Sequence, residues 1–330
     1  MRMTPKVASS CLAAFIFVSC TINEHKQDTV TVYVSADEQI AREVFTAFTK
    51  KTGIGVAWVG DSEASKTTAL VQRLFREQDR PIADVFWSSE ILGTIRLADS
   101  GLLSPCKTNI TMEWPEQHRD RKFRWFGFSP RARVIAYNPS VISESELPRT
   151  WWEYGEAAIA DPRFGTTSTH IAVMADFPEQ SKSLFESMEG KPMLGGNAAT
   201  VQAVIDGTVL FAMTDTDDVH AAIERGKSIA MFMPRHHDDI GGGTLLIPNT
   251  VGIVRGCQQP EYATQFVEFL LSNEVAIMLA LSSSHNIPIQ QSVASQFPEL
   301  MVEDPLVVDF YRATSAYENQ LAAVMDELSQ

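Results

Sequence analysis

Beyond residue 29, apolar positions recur with two periods. Residues 30–34 are an apolar run with Val30, Val32 and Val34 among its members, and residues 54–59 form a second. Both read as buried strands. Between them Ile40, Val44, Phe45 and Phe48 repeat at helical spacing. A helix is therefore expected to open at the capping-box pattern Ser35 to Glu38 and to stop at Gly53. The alternation continues with a helix over residues 63–78 (Leu70, Val71, Leu74, Phe75), a strand over 81–87 and a helix over 89–100, with Gly101 as its C-cap. A βαβαβ order predicts a parallel sheet with right-handed crossovers.

The pattern then changes. Residues 109–124 are polar, with Trp114, Pro115 and a basic cluster. Residues 131–137 read as a strand able to pass between two lobes. Residues 138–234 form a second compact unit, and 244–247 and 250–254 read as strands returning to the first. Residues 262–281 and 307–328 are expected as amphipathic helices. No repeat, low-complexity tract or long Pro/Gly linker separates independent domains, so the two units are expected to interleave.

The first twenty residues change the picture of where the chain works. Arg2 and Lys6 precede an uncharged, largely apolar run over 7–19, and Phe17, Val18, Ser19 and Cys20 resemble a lipobox. The expectation is a lipoprotein signal peptide (1–19), a lipidated Cys20 and a polar tether (20–29). The run is too short to span a bilayer comfortably. Roughly 310 residues then remain, enough for two lobes with sizeable cores. Net charge is −14, which argues against nucleic acid and polyanionic partners. It is compatible with a cationic ligand, or with solubility alone. Cys106 and Cys257 remain after the leader, either as a disulfide or as two separate thiols.

The candidate chemistry concentrates in Met213 to Val219, where Asp215, Asp217 and Asp218 follow an apolar strand and enter a helix. Such groups point into the crevice beyond a strand's carboxyl end, where open α/β sheets bind ligands. The plainer reading is a helix cap. Thr166, Thr167, Ser168, Thr169 and His170 precede an apolar stretch and look like a helix N-terminus, either an anion site or an ordinary cap. Arg131, Arg133 and Arg163 are candidates for charge pairing. His236, His237, Asp238 and Asp239 could bind a divalent metal or form a solvated loop. Gly241, Gly242 and Gly243 read as a flexible loop, and the run Arg225 to Ser228 as a turn. No GxSxG, HExxH or CxxC pattern is present, so an enzyme is the weaker reading.

In the order and spacing of several pieces the chain resembles the periplasmic ferric-ion-binding proteins of ABC importers, a branch of the type II solute-binding proteins. These pieces are the strand and helix from Thr31 through Gly53, Ala83 to Phe86 with Asp99 to Leu103, and Arg131 to Tyr137. Asn197 with Val201 to Val204 and Gly207, and Phe266 to Leu270, complete the set. The resemblance covers residues 29–296. It implies a bilobed α/β fold joined by crossover strands, with lobe 1 near 30–130 plus 240–295 and lobe 2 near 131–239 plus 296–330.

Ferric members hold iron through a His and a carboxylate of the first lobe, two adjacent tyrosines of the second, and a synergistic anion. Carried over, the His place falls near Asp37 and the carboxylate place on Ser89, with Glu90 beside it. The tyrosine pair falls on Asp217 and Asp218, and the anion loop on Thr166 to His170 with Asn197 and Asp215. Thr216 is included with the ligand-binding residues. The tyrosines and the His are thus replaced. Carboxylates are also hard oxygen donors, so Asp37, Glu90, Asp217 and Asp218 are the expected ligands of Fe3+ or another hard cation. The alternatives are a small anionic solute such as a phosphate ester or phosphonate, and an exported hydrolase with Asp217 or His170 as base. A permease and ATPase are the expected partners, with no nucleic acid, no resident cofactor, membrane contact through the lipid anchor only, and a monomeric state.

Overall fold

The computed structural model describes residues 28–61, 67–191 and 193–328. The expected leader, Cys20 and most of the tether lie outside the described residues. The first lobe opens with β1 (Thr29–Val34), α1 (Glu38–Thr52), β2 (Gly55–Gly60), α2 (Thr68–Arg76), β3 (Val85–Ser88) and α3 (Leu92–Asp99). β1 pairs in parallel with β2 and β3, as the alternation predicts. Helix α1 buries Ile40, Val44, Phe45 and Phe48 and ends where Gly53 adopts φ 79°. Its cap differs from expectation: Asp37, not Ser35, accepts from the amides of Gln39 and Ile40. Ser35 instead accepts from the Ser89 N–H at 3.1 Å. Helix α3 starts three residues later than expected, because Glu90 turns its carboxylate onto the amides of Leu92 and Gly93.

The chain continues through β4 (Leu103–Ser104) and α4 (Asn109–Glu113) into β5 (Phe126–Tyr137). The second lobe follows: β6 (Ile159–Ala160), α5 (Gly165–Met174), α6 (Pro178–Ser187), β7 (Met193–Leu194), α7 (Asn197–Ile205), β8 (Phe211–Asp215), α8 (Thr216–Glu224) and β9 (Ala230–Phe232). Strand β10 (Leu246–Val254) returns, followed by α9 (Pro260–Leu270), α10 (Asn273–Leu281), α11 (Gln291–Ala294) and α12 (Phe310–Leu328).

β5 and β10 are the crossover strands that make the molecule bilobed. The eight-stranded sheet runs β2-β1-β3-β10-β5-β8, with β4 on β10 and β9 on β5. The first half of β5 pairs with β10, and its second half, from Arg133 to Tyr137, pairs with β8 and β9. All of β5 is buried, which explains its apolar run. The two return strands read from the sequence are one strand with a shift in register between Ile247 and Asn249, at Pro248, which has no N–H to give to the ladder.

The expected helix over 262–281 is two helices bent by 56°. Ser272 breaks the run and caps α10 by accepting from the Val275 amide. Among the described residues no single helix is long and apolar enough to cross a membrane. Helix α12 does not belong to the second lobe alone: Ala313 and Tyr317 join the core beneath α2 and α3, while Val324 and Leu328 join the core around Trp151 and Leu184. Cys106 and Cys257 are free thiols, not a disulfide.

Candidate functional site

Between the lobes lies a cleft with a cavity volume of about 130 Å3. Three helices of the second lobe, α5, α7 and α8, begin at its wall, and none has a side-chain cap hydrogen bond. Their first N–H groups give that wall a positive character. Strand alternation on β5 sends Arg131 and Arg133 to one face, where each meets a carboxylate.

Arg133 is fully buried and its Nη1 donates to Asp215 Oδ1 at 2.8 Å. Asp215 Oδ2 accepts from Asn197 Nδ2 at 2.8 Å and from the Thr166 hydroxyl. Asp215 therefore stands at the N-cap position of α8 without capping it; its charge is spent on the arginine and its neighbours. Arg131 Nε lies 3.0 Å from Asp217 Oδ2. That nitrogen is not aligned for a hydrogen bond, so the contact is one of charge. Arg131 Nη1 also donates to the Ser89 carbonyl at 2.8 Å, and Nη2 to Asn249 Oδ1 at 3.4 Å.

One carboxylate oxygen each from Asp215, Asp217 and Asp218 lie within 4.8 Å of one another. Such a cluster is repulsive unless cations neutralise it. The two arginines and the first turn of α8 do part of this. Asp37 lines the same cleft from the first lobe, with Ser89, Thr166, Thr167 and Asn197. Sequence reasoning missed Ser35, Asn249 and Asn286 on the cleft wall, while Trp87, expected beside this crevice as a lid or a core residue, lines it. The available signal for Asn249 was a polar amide beside Pro248 in an otherwise apolar strand. Trp87 is also a core residue, 1% exposed and packed edge-on against Phe45.

Other expected ligands lie elsewhere. Glu90 is absent from the cleft wall: its carboxylate caps α3 and accepts from the Thr169 hydroxyl of α5 at 3.2 Å. Burial pushes its carboxyl up to about 7. Ser168 donates to the Gly165 carbonyl, as hydroxyls in a first turn do. Thr216 is buried with its hydroxyl accepting from the Ala132 amide at 3.2 Å, a tie between α8 and β5.

His170 is buried too, with its Nε2 3.1 Å from His236 Nε2 and its ring edge-on to Trp151. Burial holds it well below the ordinary histidine range and pulls His236 down to about 4. Within the expected His236 to Asp239 segment, His236 is thus neither solvated nor a ligand, whereas Asp238 and Asp239 are exposed, as a solvated loop requires. His236 is a neutral core group whose Nδ1 meets the Gly243 carbonyl at 2.8 Å. Gly242 and Gly243 are packed so closely against His237 and Asp304 that a Cβ would collide. The stretch expected to flex is a tight seam.

Comparison with known proteins agrees with this architecture. A model of the bacterial extracellular solute-binding protein family matches residues 43–307. The iron uptake protein A1 of Synechocystis is 26% identical over 303 residues, 82% of this chain and 80% of that protein. Iron-bound HitA from Pseudomonas aeruginosa superposes with a TM-score of 0.78 at 22% identity, covering 90% of this chain and 99% of that one. AfuA from Actinobacillus pleuropneumoniae, solved with exogenous fructose-6-phosphate, gives a TM-score of 0.76 at 17% identity over 92% and 99% of the two chains. Two lobes, strands that cross between them, a polar cleft at the crossing and a family match over most of the length lead to one conclusion: the chain belongs to the bacterial extracellular solute-binding proteins.

Proposed function

We propose that this chain is the solute-binding protein of an ABC importer and captures ferric iron, or another hard cation, together with a small anion. The observation that carries the reading is the meeting of the Asp215, Asp217 and Asp218 oxygens within 4.8 Å on the cleft wall, with Asp37 on the same cleft. Hard carboxylate oxygens suit a hard, highly charged ion. The uncapped starts of α5 and α7 offer N–H groups to an accompanying anion. A cavity of about 130 Å3 is small beside the ~300–1,000 Å3 of sites for drug-sized ligands. The likeness to the iron uptake protein A1 of Synechocystis supports the same reading. The test is calorimetric titration of metal-stripped protein with ferric citrate. One-to-one uptake supports the reading; no heat and no bound iron would remove it.

A second reading is favoured by a separate observation. The α5 and α7 N-termini, bare of side-chain caps and flanked by Gly165, Gly195 and Gly196, would also receive a phosphate ester. AfuA, with its sugar phosphate, has this fold. Titration with fructose 6-phosphate in the same cell separates the two.

The protein is read as exported, monomeric and held to a membrane through acylated Cys20. Acyl chains anchor by burying apolar carbon in lipid. Changing Cys20→Ser should move it to the soluble fraction after cell breakage. A wild-type protein already soluble after export would contradict the anchor.

A further inference from the structure

Arg131 occupies an unusual place for a positive charge in a cleft read as a cation site. It is 6% exposed, yet it touches parts of both lobes: the Ser89 carbonyl beyond β3, Asn249 on β10 and Asp217 on α8. Arg133, two residues on, is committed to Asp215 inside the second lobe. Of the three clustered carboxylates, two therefore already face a guanidinium. The Arg131 contact is the one that opens onto the cleft, and it is held by charge rather than by an aligned hydrogen bond.

We propose that Arg131 is a specificity-determining residue that competes with the ligand cation for Asp217. A bare multivalent cation arriving at Asp217 must displace the guanidinium and then sit beside it, two positive groups in a partly desolvated cleft. A cation that arrives already bound to an anion gives Arg131 a new counter-charge as it leaves Asp217. Arg131 thereby selects chelated over free metal, and excludes abundant free cations without any steric filter. The inference rests on the cation reading above and adds to it the residue that makes uptake depend on the anion.

The probes are terbium alone and terbium with citrate, read by terbium luminescence on the full exported chain stripped of metal. Wild type should bind terbium–citrate at least tenfold more tightly than terbium alone. Arg131→Gln, which removes the charge and leaves a shorter neutral amide, should raise the affinity for terbium alone about tenfold. It should change the affinity for terbium–citrate less than threefold. Arg131→Lys should retain the wild-type preference.

Equal affinity of wild type for both forms overturns the proposal. So does an Arg131→Gln protein that weakens both forms alike, since Arg131 would then be only a tie between lobes. Should that variant fail to fold, the side-chain Nε–H resonance of Arg131 in wild type decides. It should shift when lutetium with citrate saturates the protein, and no shift at saturation overturns the proposal. Failure to bind terbium in either form overturns the cation reading itself, and this inference with it.

Discussion

Asp215, Asp217 and Asp218 stand close together on the cleft wall, but their surroundings assign them different work. Among the described residues Asp215 is the one carboxylate paired with the fully buried Arg133, so Asp215→Asn leaves that guanidinium stranded. Breaking a buried pair from one side costs about 3–5 kcal/mol. Thermal unfolding should show a loss on the order of 10 °C, whereas Asp218→Asn should unfold within a degree or two of wild type. Equal melting temperatures for the two variants would mean that the Arg133 pair carries no stability.

Glu90 makes a different prediction. Burial places its carboxyl near 7, above the ordinary value, so the folded chain holds this proton more tightly than the unfolded chain. That contribution is complete below the unfolded value and is lost as pH rises toward 7. Between about pH 5 and about pH 8, wild type should therefore lose melting temperature relative to Glu90→Gln by several degrees. Parallel pH profiles would contradict a buried, proton-holding Glu90.

The helix starts show why local pattern and site membership diverge. α1 and α8 both begin with acidic residues, as helix N-termini favour. At α1, Asp37 caps the first amides; at α8, Asp215 turns away to Arg133. Asp37 lies on the cleft wall as well, so its two roles need separating. Asp37→Asn keeps the cap and should leave stability nearly unchanged, while Asp37→Ala should cost about 1 kcal/mol. A cation-binding role predicts that both variants weaken ferric binding. If only Asp37→Ala weakens it, Asp37 is a cap and not a ligand.

In the same way, Thr166 to His170 were legible as the start of α5. Which of them face the cleft was not, because the helix turns Ser168, Thr169 and His170 toward α3, α12 and the Trp151 core. Thr166 and Thr167 alone stay on the cleft. The spacing of side chains around a helix is readable from sequence, but its rotation against the neighbouring lobe depends on contacts far away in the chain.

Across the molecule, the alternation of strands and helices, the parallel pairing in the first lobe and the crossing strand at Arg131 to Tyr137 were legible, since the elements are written in local apolar periodicity. What was not legible depends on long-range packing: the single, bulged β10, the break at Ser272 and the double allegiance of α12. Helix α12 ties the lobes on the side of α3 and α5, so closure should pivot about β5 and β10 with α12 as a stay. Scattering at saturating ligand should give a smaller radius of gyration than ligand-free protein. An unchanged radius with binding confirmed would contradict closure by a hinge.

Whether the Asp217–Asp218 wall holds a hard cation is decided by one calorimetric comparison. Metal-stripped wild type and an Asp217→Asn, Asp218→Asn protein are each titrated with ferric citrate and with fructose 6-phosphate. Wild type should take up ferric iron one-to-one and the variant should bind it well over tenfold more weakly, since removing partly desolvated charge contacts costs about 2–5 kcal/mol. The variant should remain folded, because Asp217 and Asp218 lie past the N-cap of α8 and Arg131 keeps its contacts with Ser89 and Asn249. One-to-one binding of the sugar phosphate, retained or improved in the variant, with no ferric uptake by either protein, would contradict a hard-cation site.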